Sequence, residues 1–169
     1  MGEMEAIDTR QTHEAFARKI NGEVWALLEK ADRTPDEDEQ MLLAAHASYY
    51  HWLHAGTNVH RQRGEWMLAR VHIILGPEAE ARRHARRCLE LTGQHASEVK
   101  DFDLAYAQEA IARATAMAGD KGEARRLEEM AEGLGEKIHD EEDRKIFLSA
   151  LHSGPWFGLE AADQQKSAR

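Results

Sequence analysis

The sequence predicts an all-α fold of about seven helices, and three observations lead to this fold class. Its 169 residues include only 3 Pro, whereas Ala, Glu, Arg and Leu, which favour helices, are abundant. Apolar residues recur at helical spacing through most of the chain. The helical stretches are separated by short interruptions, many of them at Gly.

The boundary between the first two helices carries the clearest start signal. Thr34 can cap a helix, Pro35 suits its first position, and Glu37 completes a capping box, so the second helix begins here. Gly56 ends that helix. The first helix, over about 8–31, is predicted from its apolar periodicity.

The remaining five helices are bounded by Gly, Pro, Ser or Asp. Gly76-Pro77 ends the third helix and starts the fourth, and Gly119-Asp120 forms a tight turn between the fifth and the sixth. The predicted ranges are about 58–75 for the third helix, 77–91 for the fourth, 97–118 for the fifth, 121–134 for the sixth and 140–151 for the seventh.

Length, charge and cysteine content bound the domain organisation and the partners. The length suits one domain, expected over 1–159, with 160–169 as a flexible polar tail. The net charge of −9 argues against nucleic-acid binding, and no apolar run is long enough to span a membrane. Cys88 is the only cysteine and the acidic N-terminal residues do not form a signal peptide, so we expect a cytoplasmic protein.

A shift of 43 residues places one part of the chain over another. Eight of the 26 residues from Trp66 to Leu91 are identical to those 43 positions later, including Gly76 with Gly119 and Ala81 with Ala124. Each unit is a helix, a Gly turn and a second helix, which predicts repeat-like hairpins over 58–93 and 97–135. The shift does not extend to 1–57, a divergent helical pair, and 140–159 adds a last helix and an aromatic segment.

These units resemble a known repeat. The residues Leu68-Ala69, Gly76, Ala81, Ala85 and Leu89-Glu90-Leu91, and in the second unit Ile111-Ala112, Gly119, Ala124, Ala131 and Leu134, are similar to the tetratricopeptide repeat (TPR). The resemblance covers about half the chain, and the period of 43 is longer than the TPR period of 34. It implies a right-handed array of antiparallel hairpins whose first helices line a concave groove.

The same resemblance implies a function and a set of site residues. TPR-like modules hold a peptide or a partner helix in the groove, so we expect a non-enzymatic protein-interaction module without a cofactor. Arg70 and Arg113 share one repeat position and are expected to orient acidic groups of the partner. Replacing both by Ala is expected to leave the stability of the fold largely unchanged. Placed by repeat position, the expected partner-binding residues are Arg63, Trp66, Arg70, Tyr106, Glu109 and Arg113.

Three alternatives stay open from the sequence. The first is that this face is only solvated, because Glu109 and Arg113 have the spacing of an ordinary helix-surface ion pair. The chain is alternatively a helical metal-binding protein or small metalloenzyme that uses histidines of the second and third helices, of which His51 and His54 have a suitable spacing. A third alternative is a self-associating subunit, such as a homodimer, formed through Trp156 and Phe157. The residues expected for the metal site are His51, His54 and His72.

Overall fold

The computed structural model describes residues 9–159, and within that range it contains seven α-helices and no strand. The predicted all-α class is therefore confirmed, whereas the predicted tail 160–169 lies outside the described residues. The helices are α1 (Thr9–Glu29), α2 (Pro35–Ala55), α3 (Asn58–Leu75), α4 (Glu78–Gln94), α5 (Asp101–Met117), α6 (Lys121–Gly135) and α7 (Glu141–Leu151).

Capping residues fix several helix ends where the sequence predicted them. The Thr34 hydroxyl accepts from the Glu37 N–H, and the Glu37 carboxylate accepts from the Thr34 N–H, which completes the predicted capping box of α2. Gly76 and Gly119 follow α3 and α5 with φ values of 75° and 86°, a region that favours glycine.

The start of α5 differs from the prediction. The sequence predicted a start at Ser97, but residues 95–98 form a turn closed by a hydrogen bond from the Glu98 N–H to the His95 carbonyl. The helix begins at Asp101 because the Asp103 carboxylate accepts from the Lys100 N–H and caps the first turn. A side chain that caps from inside the helix, rather than Ser97, sets this boundary.

The helices pack as consecutive antiparallel pairs, and α3 also contacts α5 and α5 contacts α7. The even-numbered helices α2, α4 and α6 begin 43 residues apart, as do α3 and α5. Ala81 and Ala124, the small residues that follow each Gly turn, are fully buried, so the paired helices approach closely there. α1 departs from this spacing because it is longer than α3 and α5 and its connection to α2 is longer than the connections that follow them.

A glycine in α3 allows another close approach. A Cβ atom on Gly64 would lie 2.3 Å from Cδ2 of Tyr49, so the aromatic ring of α2 lies directly against the backbone of α3. This contact places the Tyr49 hydroxyl 2.9 Å from Glu65 Oε1. None of the helices in the described range combines the length and apolar composition needed to cross a bilayer.

Candidate functional site

A groove lies between the odd-numbered helices α1, α3 and α5 and encloses about 270 Å³. We call it the α1–α3–α5 groove. Its wall is mainly aromatic and amide-bearing, with a single acidic and a single basic side chain among its lining residues. The lining includes Trp25 from α1, Gln62, Arg63 and Trp66 from α3, and Phe102, Asp103 and Tyr106 from α5.

Aromatic rings cross the groove from helix to helix. The ring of Trp66 lies 5.8 Å from that of Trp25 and 5.3 Å from that of Tyr106, measured between centroids. Tyr106 continues the row to Phe147 of α7 at 4.8 Å. Trp25 remains 41% exposed, so the apolar wall is open to solvent at its α1 end.

The two charged residues of the groove neutralise each other. Arg63 donates from Nε and Nη2 to the two carboxylate oxygens of Asp103, at 2.8 and 3.0 Å, and its guanidinium lies 5.2 Å from the ring centroid of Phe102. A bidentate pair of this kind satisfies both partners. The lining therefore offers a ligand no uncompensated charge.

Two polar atoms of the groove have no hydrogen-bond partner among the described residues, namely Gln62 Oε1 and Trp66 Nε1. Gln62 is only 1% exposed, and its Nε2 donates to Thr92 Oγ1 at 2.9 Å. The Thr92 hydroxyl in turn donates to the Cys88 carbonyl at 2.8 Å, so Thr92 Oγ1 must accept from Gln62. These hydrogen bonds fix Gln62 Oε1 as an acceptor, and Trp66 Nε1 is a donor on the same groove wall.

The structure separates the six predicted partner-binding residues into two groups. Arg63, Trp66 and Tyr106 line the groove as expected. Arg70 and Glu109 lie outside its lining, where Arg70 Nη1 is 3.6 Å from Glu109 Oε1. Burial lowers the pKa of Arg70, an effect that the carboxylate of Glu109 opposes.

Arg113 is placed elsewhere than the sequence predicted. It is 0% exposed and pairs with Glu109, and its guanidinium donates to four carbonyl oxygens at the end of α7 and beyond, so it presents no donor to a groove. The distances are 2.8 and 3.4 Å from Nη2 to Ala150 and Leu151, and 3.0 Å from Nη1 to both Ser153 and Pro155. Arg113 thus adds a charged donor to carbonyls at a helix C-terminus, where Ala150 also accepts from Ser153 and Leu151 from Trp156.

The predicted self-association residues are divided in the same way. Trp156 is 6% exposed, lies 4.3 Å from the Arg113 guanidinium and donates from Nε1 to the Leu151 carbonyl at 2.9 Å. Its ring is therefore part of the core of its own chain. Phe157, in contrast, remains 39% exposed.

The structure also separates the three histidines predicted to share a metal. His51 and His54 contact His13 of α1, and Nδ1 of His13 lies 2.8 Å from Nδ1 of His51. We call this group the His13 cluster. The neighbouring histidines and loss of solvent lower the pKa of His13, with desolvation the larger cause. His72 belongs to a different group, with Glu80 and His84, whose ligand atoms lie within 4.8 Å of one another.

Sequence reasoning missed Trp25, Gln62, Phe102 and Asp103 in the groove and Glu80 and His84 beside His72. Gln62 and Trp25 lie outside the 43-residue match, so the repeat gave no reason to select them. The spacing of Glu80 and His84, four residues apart just after the Gly76-Pro77 turn, was a usable signal. It places both on one helix face next to the end of α3.

Comparison of the chain with models of known protein families, with curated proteins and with solved structures finds no significant match.

Proposed function

We propose that this chain is a non-enzymatic TPR-like binding module, a right-handed array whose α1–α3–α5 groove takes a neutral peptide segment. One apolar side chain of the segment packs against the row of aromatic rings. The observation that carries the proposal is the pair of unpartnered atoms, Trp66 Nε1 and Gln62 Oε1, in the wall of this groove.

The chemistry of these two atoms matches a peptide group. An indole N–H is a donor and a side-chain amide oxygen is an acceptor, and a backbone amide supplies one carbonyl acceptor and one N–H donor. A buried polar atom without a partner costs free energy, which a ligand that pairs with it recovers. A peptide segment carries both complementary groups, a carbonyl for the indole N–H and an N–H for the amide oxygen.

The charges of the groove favour a neutral occupant over the acidic partner expected from the sequence. Arg63, the basic residue of the lining, is held by Asp103, whereas Arg70 and Arg113 lie outside the lining and share Glu109. A partner carboxylate in the groove would have to displace the pair of Arg63 and Asp103. An apolar side chain gains by burial against Trp25, Trp66 and Tyr106 without that cost.

The volume of the groove, about 270 Å³, suits one large side chain with the peptide groups next to it. The open end at Trp25 leaves room for the chain to enter and leave.

Selection from a random peptide library displayed on phage tests this proposal. We expect the enriched peptides to share a Phe, Trp, Leu or Met without an acidic neighbour. The variant Trp66→Phe keeps an aromatic ring but lacks the N–H, so its affinity for a selected peptide should fall about 2- to 12-fold. Leu43→Ser, which alters an exposed residue of α2 outside the groove, is the matched control and should not change affinity.

Two results would contradict the proposal. Enrichment of acidic peptides without an apolar residue would return the binding role to the arginines. Equal affinity of the parent chain and Trp66→Phe for the selected peptides would place their binding site elsewhere.

A further inference from the structure

Two histidines and a glutamate meet where α3 ends and α4 begins. His72 lies in the last turn of α3, and Glu80 and His84 lie four residues apart on α4, across the turn at Gly76-Pro77. Their ligand atoms are within 4.8 Å of one another. We call these three residues the His72 cluster, and it shares no residue with the lining of the α1–α3–α5 groove.

Hydrogen bonds fix the protonation of both imidazole rings. His72 Nδ1 lies 3.2 Å from the Gly76 carbonyl oxygen, and His84 Nδ1 lies 2.6 Å from Glu65 Oε2. Because both of these oxygens accept, each Nδ1 is the protonated nitrogen and each Nε2 of the neutral ring carries a lone pair. Nε2 of His72 is buried and has no partner among the described residues.

A guanidinium occupies the remaining side of the cluster. Nη2 of Arg83 lies 2.9 Å from His84 Nε2 and 2.8 Å from Glu80 Oε2. Arg83 Nη2 thus donates one hydrogen bond to the lone pair of His84 Nε2 and another to the Glu80 carboxylate, which are two of the three ligand atoms. The Arg83 side chain is 60% exposed and can turn into solvent when another cation takes this place.

The partner of His84 extends into the protein. Glu65 accepts from His84 through Oε2 and from the Tyr49 hydroxyl through Oε1, at 2.9 Å. The Glu65 carboxylate therefore holds the His84 ring in place, which is the usual outer-shell arrangement of a metal-ligating histidine.

We propose that His72 and His84, through Nε2, and Glu80, through its carboxylate, bind a zinc ion. Two neutral imidazoles and one carboxylate form a ligand set that zinc accepts, with Nδ1 of each ring held by an acceptor. A tetrahedral site with bonds of 2.0–2.1 Å needs ligand atoms about 3.3 Å apart. The Glu80 side chain, 41% exposed, can rotate toward the two rings, and the rings themselves, which are stacked with their centroids 5.5 Å apart, must turn and move toward each other.

His46 is the imidazole next to this site. Its ring centroid lies 6.3 Å from that of His72 and 6.1 Å from that of His84. His46 is not one of the three residues whose ligand atoms lie within 4.8 Å of one another, so we expect His46→Asn to retain zinc binding, and loss of binding in that variant would contradict the three-residue site.

The test is calorimetric titration of the full chain with zinc chloride at pH 7.5, after removal of metal by a chelator. We expect one zinc per chain, and at least about 100-fold weaker binding in His72→Asn and in His84→Asn. Asn keeps a donor near the Nδ1 position, so the bonds to Gly76 and Glu65 are preserved while Nε2 is lost. Circular dichroism of each variant checks that it is folded.

Arg83→Ala gives an expectation of the opposite sign. Removing this exposed guanidinium eliminates a competing cation and one positive charge, so zinc should bind more tightly. A structural ion pair alone would not produce that gain. Because the Arg83 side chain is exposed, Arg83→Ala should fold. The test therefore stays decisive even if a histidine variant fails to fold.

His51→Asn is the matched control, because it removes a ligand from the His13 cluster instead. The proposal is overturned if no zinc binds, if Arg83→Ala weakens binding or leaves it unchanged, or if the affinity falls in His51→Asn rather than in His84→Asn. The peptide-binding result at the groove is separate, so either proposal can fail without the other.

Discussion

The replacement Arg113→Ala tests the structural placement of this residue most severely. The sequence led us to expect an exposed guanidinium whose loss affects binding but not stability. The structure instead buries Arg113 completely, between Glu109 and the carbonyls that follow α7. The two placements predict different free energies of unfolding.

The expected loss can be worked from the contacts. Removing one member of a buried ion pair costs about 3–5 kcal/mol because the remaining charge is stranded. Glu109 is 2% exposed and keeps only Arg70 at 3.6 Å, while the carbonyls of Ala150 and Leu151 lose a charged donor. We therefore expect a loss of about 4 kcal/mol, which for a domain of this size lowers the melting temperature by about 8–16 °C.

The assay is urea unfolding followed by circular dichroism. Arg126→Ala is the matched control, since Arg126 forms an exposed helix-surface pair with Glu123 and its loss should leave the unfolding midpoint unchanged. Arg113→Lys keeps the charge but not the forked donors, so it should fall between the two. A loss below about 1 kcal/mol in Arg113→Ala would refute the buried placement.

Three further predictions concern packing, pH and metal. Gly64→Ala should destabilise the fold by about 1–3 kcal/mol, because the new Cβ atom would meet the ring of Tyr49. Gly22→Ala, with open space around it, should stabilise α1 by up to about 1 kcal/mol. The midpoints of urea unfolding compare the two variants. Burial lowers the pKa of His72. Burial also lowers the pKa of His60, and the positive charge of Arg63 lowers it further. Unfolding returns both pKa values to about 6.5, so without metal stability is full above pH 6.5 and falls as the pH drops through the folded values. Thermal melts from pH 7.5 to 5.0 should show this fall, and His72→Asn should reduce it; an unchanged slope would contradict the assignment. Zinc at 100 times its dissociation constant should stabilise the parent chain by about 2.7 kcal/mol and leave the melting temperature of His84→Asn unchanged.

Local signals in the sequence were sufficient for most of the fold. Thr34 and Glu37 lie next to the residues they cap, and the Gly76 turn needs only its own backbone conformation, so both were predictable. The start of α5 was not predicted, because the cap is Asp103, a residue inside the helix that also binds Arg63 from α3. The hydrogen bond from the Lys100 N–H to Asp103 is local, but Ser97, a preferred N-cap residue type, was the stronger signal in the sequence.

The site was predictable only where repeat position coincided with the groove. Trp66 and Tyr106 were found in this way, but Gln62 acts through Thr92 on α4, a contact that helical periodicity does not reveal. Arg113 had the pattern of a surface ion pair, and its burial depends on the segment after α7, about 40 residues later. Spacing along one helix likewise joined His51 with His54 but could not join His72 with a histidine of the next helix.

Binding of a neutral peptide in the α1–α3–α5 groove can be tested by a heteronuclear NMR titration that follows the indole N–H signals. The probe is the capped tripeptide Gly-Phe-Gly, and Gly-Asp-Gly is its control. We predict that Gly-Phe-Gly shifts the indole signals of Trp66 and Trp25 in a saturable manner and leaves that of the buried Trp156 in place. Gly-Asp-Gly, which lacks the apolar side chain, should not shift the Trp25 signal. Unchanged Trp66 and Trp25 signals at saturating Gly-Phe-Gly, or equal shifts with Gly-Asp-Gly, would contradict it.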